Sequence, residues 1–387
     1  MSRRAWTVAT VLTWAVLVSA CGGTTTGAVS DRPDTPFKLA TFEAAGQTRL
    51  GMVLGTRVLD IAAANQQLTS AAGLAPMTMP MEMKALIEQY ATVSPRLYQI
   101  ANYFSANAPS GPPVAFDEAA VSFKAPIKYP WNLIAASANY RAHAEGMGEA
   151  GAGRTAPTPS PAAPARPPAA GGFDASAASR IVPDRDAPIM FAKSPRSCII
   201  DPNEPFYIVD GRQRTDYEGE LAIIMGPRPA YRVSREEALD YVFGYTIMED
   251  LSDRGSERLR EVTMFPGTNW FDGKSIDRAA PFGPVIVPRE FLPEGPSDFR
   301  LTTKLNGELV QDARTSNLIW SEPHLIAYVT SRMTLYPGDV ISTGTPSGTG
   351  MERQTFLKPG DVVTVEVEGI GTLTTPFKAL SEKPATP

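Results

Sequence analysis

The sequence predicts an α+β protein in which β-strands predominate. Short apolar or alternating runs bounded by glycine, proline and asparagine recur along most of the chain, whereas helical spacing is confined to a few stretches. The chain of 387 residues, 43% of them hydrophobic, is long enough to bury a large core in one or two domains. Its net charge of -5, without a long basic run, gives no electrostatic basis for binding nucleic acid.

The first residues have the composition of an export signal. Arg3 and Arg4 precede an uncharged run at 5–20, and Cys21 follows it. A basic start, a short apolar core and small residues before a cleavage point are typical of a secretory signal peptide, here residues 1–20. Small residues directly before a cysteine resemble a bacterial lipobox. We therefore expect a lipid on Cys21 that anchors the protein in the bacterial cell envelope, with ordinary cleavage as the alternative.

The segments after this signal predict a tether and then regular structure. Residues 21–36 are rich in Thr, Gly, Ser and Pro, which is typical of a flexible tether. Three short runs at 37–42, 49–54 and 57–61 predict a small β-meander. Apolar residues at helical spacing over 81–107 predict one or two helices.

Cysteine usage excludes a disulfide framework. Cys198 is the only cysteine besides Cys21, so no intrachain disulfide is available once Cys21 carries a lipid. Cys198 lies in an apolar stretch, and we expect it to pack in the core rather than to react.

An insertion is predicted at 149–173, where the chain becomes rich in Ala, Gly and Pro. Such a composition cannot build a core and predicts a mobile, partly extended segment. Residues capable of chemistry lie before and after it, so a lid beside an active site is one interpretation and a linker is the other.

The second half of the chain predicts mainly antiparallel strands with two helices. Ser234 and Glu237 form a capping box that predicts a helix start, and a second helix is predicted over 322–333. Asn306-Gly307 predicts a tight hairpin turn. The predicted strands are 242–248, 285–287, 301–305, 340–342 and 362–367.

An acidic segment opens the run 215–226. Asp216, Glu218 and Glu220 come directly before an Ile-rich stretch that predicts a buried strand. Because side chains alternate along a strand, the three carboxylates would share one face, with neighbouring Cβ atoms roughly 7 Å apart. Either water screens them at an exposed strand end, or a cation lies among them.

The chain has two histidines, His143 and His324. His143 lies just ahead of the predicted insertion, where a base could be carried to and from a site. His324 lies at the start of the predicted late helix, and we expect a structural role for it.

Seven segments, in the order expected of the family, together resemble the fumarylacetoacetate hydrolase family. They are 139–143, 193–197, 216–222, 244–254, 270–275, 281–284 and 344–348. The resemblance implies a mixed β-sandwich roll, with a small early α/β domain at 37–125 and a catalytic domain at 126–387. It also implies a homodimer, since dimers are usual in such families.

The resemblance implies a divalent cation in the pocket, Mg²⁺ or Mn²⁺, with Ca²⁺ also compatible. Glu218 and Glu220 match the paired metal carboxylates of the family, and Asp250 matches the third. Oxygen ligands suit these hard ions. Asp216 is expected to brace the site from outside the ligand set.

The same resemblance implies catalysis on small acids that carry a 2-oxo acid or a 1,3-dicarbonyl group. His143 would take a proton from water, and Lys274 would offset the charge of an oxyanion. Where hydrolytic members often pair the histidine with a glutamate three residues on, this chain has Gly146, and Glu145 is an acidic candidate close by.

Substrate contacts are implied at five further positions. Thr345 with its neighbour Gly344 matches a loop that holds a substrate carboxylate, and Arg254 matches a pocket arginine. Tyr140 and Arg141 would contact the substrate or position the histidine. Hydrolysing relatives commonly have a glutamine three positions after the arginine, where this chain has a glutamate, so the oxyanion site is expected to differ.

The sequence thus predicts a divalent-metal-dependent hydrolase that cleaves a C–C bond in an acylpyruvate or a diketo acid. Isomerase, decarboxylase and hydratase reactions on 2-oxo or 2-hydroxydienoic acids are alternatives that use the same carboxylates. A lipoprotein that only binds a small acid is the alternative from a different functional class.

Overall fold

The computed structural model describes residues 29–109, 113–152, 180–255, 270–292 and 295–384. The predicted signal peptide, Cys21, most of the predicted insertion and Glu257, which stands three positions after Arg254, lie outside these ranges. None of the helices in the described ranges has the length and apolar character needed to cross a membrane.

Strands outnumber helices in the described chain. The strands are β1 (Lys38–Ala44), β2 (Gln47–Leu54), β3 (Arg57–Asp60), β4 (Ala115–Asp117), β5 (Ser122–Lys124), β6 (Leu133–Ser137), β7 (Ile189–Ala192), β8 (Ile199–Ile200), β9 (Phe206–Ile208), β10 (Thr215–Asp216), β11 (Gly219–Met225), β12 (Val242–Glu249), β13 (Ser252–Asp253), β14 (Ala280–Pro288), β15 (Arg300–Leu305), β16 (Glu308–Arg314), β17 (Val340–Ser342), β18 (Val362–Val367) and β19 (Gly371–Ala379). The helices are α1 (Ile61–Ala72), α2 (Met83–Glu88), α3 (Tyr90–Ala106), α4 (Arg141–Ala152), α5 (Pro195–Cys198), α6 (Trp270–Lys274), α7 (Glu322–Thr330) and α8 (Gly350–Arg353).

Most of the strands join one large sheet. Its main path runs β4-β3-β2-β1-β14-β12-β11-β17-β6-β7, while β5 pairs with β1 and β8 pairs with β14. Neighbouring strands are antiparallel except that β17 is parallel to β6 and β8 is parallel to β14. The early meander β1–β3 therefore extends the same sheet that carries the acidic segment.

A second sheet, of order β16-β15-β18-β19-β9, covers one face of the large one. Leu221 of β11 shares a buried apolar cluster with Leu301 of β15, whereas its neighbour Ala222 shares a cluster with Leu86 of α2. Because successive side chains of a strand point to opposite faces, β11 is buried between a sheet and a helical layer. The predicted fold class, α+β and mainly β, is confirmed.

The early helices are confirmed as α2 and α3, but the sequence interpretation missed α1. The carboxylate of Asp60 accepts hydrogen bonds from the backbone N–H groups of Ala62 and Ala63 at 3.0 and 3.2 Å, which caps the helix. The helix ends at Gly73, whose φ of 61° suits glycine. Strand β3 runs directly into the cap, so no turn residues marked the change from strand to helix.

The helix predicted after Ser234 is wrong. The capping contact forms, since Glu237 N donates to Ser234 Oγ at 3.3 Å, but only a 3₁₀ segment, Ala238–Tyr241, follows before β12. So short a segment cannot recover the free-energy cost of starting an α-helix. The hairpin predicted at Asn306-Gly307 is confirmed between β15 and β16, with φ values of 52° and 86°.

The directions of the strands bring the residues of the predicted site to one edge of the large sheet. In the β11–β12 pair, Gly219 lies opposite Glu249, and in the β11–β17 pair, Ala222 lies opposite Ser342. Because β11 is antiparallel to both strands and β17 is parallel to β6, the start of β11 lies beside the ends of β12, β17 and β6. The residues that follow those three strands meet at this edge.

Candidate active site

Three carboxylates converge where β11 begins and β12 ends. Glu218 immediately precedes β11, Glu220 is its second residue, and Asp250 immediately follows β12. The backbone N–H of Asp250 donates to the carbonyl of Glu218 at 2.8 Å and ties the two strand ends together. One carboxylate oxygen from each residue lies within 4.8 Å of the other two. The residues that the sequence nominated as metal ligands are therefore brought together.

The acidic run is not one continuous strand, contrary to the alternation expected from sequence. Asp216 ends β10, which pairs with β13, and β11 starts only at Gly219. The Asp216 carboxylate accepts hydrogen bonds from the backbone N–H groups of Gly350 and Met351, at 2.5 and 3.1 Å. Asp216 thus anchors the first turn of α8 outside the triad, in keeping with the supporting role predicted for it.

Glu220 is anchored through one of its two carboxylate oxygens. Its Oε2 accepts hydrogen bonds from Ser342 Oγ at 2.5 Å and from Gly344 N at 2.9 Å. Its Oε1 is buried and has no hydrogen-bond partner among the described residues. Burial, together with the nearby carboxylates of Asp250 and Glu218, raises the pKa of Glu220 well above its ordinary value.

Basic side chains offset the negative charge of the triad. Lys274 Nζ donates to Glu218 Oε2 and to Asp250 Oδ2, both at 2.6 Å, and Lys193 Nζ donates to Asp250 Oδ1 at 2.6 Å. Burial would raise the pKa of Glu218, but Lys274 and Arg254 outweigh it and lower that pKa to about 2. Glu218 and Asp250 therefore each have a direct cationic partner.

Arg254, predicted to contact substrate, lies within this charge network. Its Nε donates to Asp216 Oδ2 at 2.8 Å, and its Nη2 donates to Glu218 Oε1. Burial opposes the charge, but Glu218 and Asp216 outweigh it and raise the pKa of Arg254 above its ordinary value. The guanidinium therefore links the bracing carboxylate to a candidate ligand.

The chemistry of the donor set fits a divalent cation. Glu218, Glu220 and Asp250 offer hard carboxylate oxygens, and all three side chains are buried. Oε1 of Glu220 has no partner within the described ranges, and a cation would relieve this cost, because a buried polar atom without a partner destabilises the fold. Mg²⁺ and Mn²⁺ both match these ligands.

His143 lies on the first turn of α4 and is buried beside a carboxylate from a distant part of the chain. Its Nδ1 is 3.3 Å from Oε1 of Glu352, although no well-aligned hydrogen bond forms at Nδ1. Oε2 of Glu352 accepts the backbone N–H groups of Gly348 and Thr349 at 2.6 and 2.8 Å. Burial is outweighed by His143 and these donors, which hold the pKa of Glu352 below its ordinary value.

Gly146 leaves the space that Glu352 occupies. A Cβ atom at Gly146 would lie 2.3 Å from Oε1 of Glu352, so any larger residue would displace that carboxylate. The sequence interpretation could not say which acidic residue takes the place of a glutamate at this position. The structure places Glu352 of α8 against His143, whereas Glu145 is two positions along α4, a spacing that does not face the histidine.

The loop after β17 is held tightly against the triad. Gly344 has a φ of 95°, and a Cβ there would lie 2.8 Å from the Cβ of Asn139, so glycine is required. Thr345 Oγ1 donates to Gly219 O at 3.1 Å and accepts from Gln311 Nε2 at 2.8 Å. The predicted substrate loop is therefore fixed directly above the start of β11.

Tyr140 and Arg141 follow β6 at the same edge. The hydroxyl of Tyr140 is buried without a hydrogen-bond partner in the described part of the chain. Burial first, and then the charge of Glu220, raises the pKa of Tyr140 above its ordinary value. Arg141 is exposed at the start of α4.

Sequence reasoning missed three residues of the site. Lys193 lies in a segment that contributed to the family resemblance but was given no role, and Gln311 and Glu352 lie outside all of those segments. The capping box Thr349-x-x-Glu352 is a local signal that marks Glu352, since its side chain accepts from the helix start. No local sequence pattern marks Gln311, because its hydrogen-bond partners lie far from it in the sequence.

Of the two residues expected to be structural, His324 lies among polar side chains, whereas Cys198 packs beside Lys274, with its Sγ 4.0 Å from the Lys274 carbonyl. His324 Nδ1 lies 2.8 Å from Ser321 Oγ, and its Nε2 lies 3.6 Å from Asp184. Cys198 is buried and free, with Sγ 3.3 Å from the carbonyl of Ile276.

Solved structures resemble this fold over most of its length. The fumarylacetoacetate hydrolase of Exiguobacterium antarcticum aligns with a TM-score of 0.59 and 29% identity, covering 89% of this chain and 99% of that protein. Maleylpyruvate hydrolase of Sphingobium sp. SYK-6, in complex with manganese(II) and pyruvate, aligns with a TM-score of 0.60 and 25% identity, covering 88% and 99%. The large mixed sheet is thus shared with these two hydrolases.

A curated relative is more similar in sequence to about half of this chain. The mitochondrial oxaloacetate tautomerase fahd2 of Xenopus laevis is 36% identical over 197 residues, which are 50% of this chain and 59% of the relative. The chain therefore matches less than two thirds of that enzyme's length.

A family model identifies the region that contains the site. The model described as "Fumarylacetoacetate (FAA) hydrolase C-terminal" matches residues 132–378, which is more than half of the chain. The matched region begins just before β6 and contains the triad, His143, Glu352 and the loop after β17. With its large sheet, its buried acidic triad and this match, the chain belongs to the fumarylacetoacetate hydrolase family.

Proposed function

We propose that this protein is a divalent-metal-dependent enzyme of small 2-oxo and 1,3-dicarbonyl acids, and that it hydrolyses a C–C bond of an acylpyruvate or diketo acid. One observation carries the proposal: a buried histidine held against a carboxylate lies beside the acidic triad. His143 is close enough to Glu218 to contribute to lowering the pKa of that carboxylate. A base and a cation site in such proximity suit proton transfer next to a polarised carbonyl.

The triad would hold the cation, which when bound would polarise the two substrate oxygens that chelate it. His143 takes a proton from water, and the water oxygen bonds to the keto carbon distal to the carboxylate. The bond from that carbon to the neighbouring CH₂ then breaks, and its electron pair stays on the CH₂ carbon. Protonation of this carbon by His143 yields pyruvate, and the other fragment leaves as a carboxylic acid.

The remaining residues of the site assist by charge and position. Glu352 stabilises the positive charge that His143 acquires when it accepts the proton. Lys274 offsets negative charge that develops beside the triad, since its ammonium group lies 2.6 Å from two of the carboxylates. Thr345 and Gly344 would hold the substrate carboxylate. The hydroxyl of Tyr140, which has no partner among the residues that the structure describes, is available as a further donor.

Tautomerisation of a 2-oxo acid is a second candidate. The similarity to fahd2, whose name states oxaloacetate tautomerase, favours it. The same histidine would move a proton between a carbon and an oxygen of the substrate without the addition of water. Both candidates need the triad and His143, and they differ only in whether water attacks.

A substrate panel tests the proposal. Purified protein with Mg²⁺ or Mn²⁺ is given acylpyruvates, and the loss of diketone absorbance and the release of pyruvate are followed, with enol-oxaloacetate conversion measured in parallel. We expect hydrolysis that EDTA abolishes and Mn²⁺ restores, and a loss of about 10²- to 10⁴-fold in His143→Ala. Ketonisation of oxaloacetate without hydrolysis would support the second candidate. No turnover of any substrate, with no metal bound to well-folded protein, would refute both.

A further inference from the structure

An aromatic pair that the proposed mechanism does not use lies beside the triad. The rings of Phe191 and Trp270 are stacked, with centroids 5.0 Å apart and planes inclined by 19°. The Lys274 ammonium, which contacts two carboxylates of the triad, lies 5.1 Å from the centroid of Phe191. The phenyl ring therefore contacts the indole and also lies near the buried charges.

Local structure explains why these side chains meet. Trp270 and Lys274 are the first and last residues of α6, and this spacing brings both to the same side of a single helical turn. Phe191 of β7 and Lys193, which follows that strand, are separated by two positions, so alternation turns both to the same side. Each aromatic residue is thus paired in sequence with a lysine of the charge network.

Exposure increases along both elements with distance from the triad. On α6, Lys274 is 5% exposed and Trp270 is 40% exposed. Along β7 and its end, Lys193 is 2% exposed, Phe191 is half-buried and Ile189 is 43% exposed. Two separate elements therefore form one continuous apolar wall, which leads from the buried charges to solvent.

Packing of α6 on β7 does not by itself account for this arrangement. Trp270 stacks on Phe191 across the two elements, yet two fifths of its surface remains accessible. The indole therefore combines an accessible surface with a stacked contact to Phe191.

We propose that Phe191 and Trp270 are specificity-determining residues that favour 2-oxo and diketo acids whose distal substituent is aryl or otherwise planar and conjugated. This inference rests on the proposed function, which places the chelating end of the substrate at the triad. The distal group of a chelated acid then extends along the wall. A flat π-system stacks on the indole there, whereas a small alkyl group leaves the indole exposed to solvent. Stacking of aromatic rings predicts a preference of about three- to tenfold.

The test compares benzoylpyruvate with acetylpyruvate through the ratio of their kcat/KM values. We expect Trp270→Ala to lower the aryl-to-alkyl ratio about three- to tenfold, and Trp270→Phe to retain most of it because a ring remains. Phe271→Ala is the matched control, since Phe271 is the next residue of α6 and is 72% exposed. It should leave the ratio within twofold of the wild-type value.

A binding measurement separates failure of this inference from failure of the proposed function. Calorimetric titration of the Mg²⁺-loaded protein with phenylpyruvate and with pyruvate gives the same aryl preference without any turnover, and Trp270→Ala should reduce it. If no acylpyruvate is hydrolysed but phenylpyruvate still binds more tightly through Trp270, only the proposed hydrolysis is refuted. An aryl-to-alkyl ratio or binding preference that is the same in wild type, Trp270→Ala and Phe271→Ala would refute the proposal that the aromatic pair determines specificity.

Discussion

At the level of single residues, the site is built from partners that are far apart in the sequence. His143 lies near the start of the helix that follows β6, whereas Glu352 belongs to the short helix α8, which follows β17. Gly146 permits the contact because it has no side chain, and Asp216 holds the start of α8 through two backbone N–H groups. A glutamate at position 146 is therefore not needed for a carboxylate to face the histidine.

Glu352→Gln is expected to lower kcat about 10- to 100-fold and to leave KM within about threefold. The amide keeps the shape of the side chain but removes the negative charge that stabilises protonated His143. Steady-state kinetics on a hydrolysed acylpyruvate measure both constants.

Glu145→Gln is the matched control for this variant. It removes a carboxylate from the same helix as His143, two positions away, and we expect kcat to stay within about twofold of wild type. An equal loss in both variants, or a larger loss in Glu145→Gln, would show that Glu352 is not the partner of the histidine.

At the level of elements, a buried carboxyl group connects α7 with β12 away from the triad. The hydroxyl of Tyr245 in β12 donates to Oε2 of Glu322, the first residue of α7, at 2.7 Å. Glu322 is only 8% exposed, and burial, partly offset by Tyr245 and Arg289, raises its pKa to about 7. The contact therefore changes charge near neutral pH.

Glu322 should make the fold less stable as pH rises. Its folded pKa of about 7 exceeds the ordinary value of 4.5, so its stabilising contribution is complete below pH 4.5 and is lost as pH rises through 7. Relative to wild type, we expect Glu322→Gln to gain on the order of 2 kcal/mol in free energy of unfolding between pH 5 and pH 8.

Urea unfolding of both proteins at the two pH values measures this difference, because titrations common to both cancel. Tyr245→Phe is a useful companion, since it removes the donor while the carboxyl group stays buried. A wild-type minus variant difference that is the same at pH 5 and pH 8 would contradict the assignment of a raised pKa to Glu322.

At the level of the whole molecule, the triad joins regions that the chain order keeps apart. It connects the start of β11 with the end of β12, and its hydrogen bonds and ion pairs reach β17 and α6. A ligand that binds the folded state alone stabilises the entire fold by mass action. Occupation of the triad by a cation should therefore be visible in global stability as well as in activity.

Mn²⁺ or Mg²⁺ at about 100 times its dissociation constant is expected to stabilise the protein by about 2.7 kcal/mol, measured as an increase in Tm relative to protein in EDTA. Glu220→Gln should abolish most of this increase because it removes one of the three ligands. Glu322→Gln should retain the full increase, since it changes a buried carboxyl group elsewhere. A similar rise in Tm for Glu220→Gln and wild type would exclude the triad as the cation site.

Local sequence patterns determined much of the architecture and part of the site. Apolar runs and turn residues marked the meander, most later strands and the Asn306-Gly307 hairpin, because burial periodicity and turn chemistry are short-range properties. The candidate ligands Glu218, Glu220 and Asp250 were predicted from their strand ends and from motif resemblance. Export and lipid attachment at Cys21 stay predictions, as does a homodimer.

Only the tertiary structure decided which groups face one another. It paired His143 with Glu352, set Lys193 against Asp250 and stacked Phe191 on Trp270, and it divided the acidic run so that Asp216 serves α8. These contacts join residues that lie far apart along the chain. No local pattern encodes such distances, because they depend on how twisted strands and their connections return to one edge of the sheet.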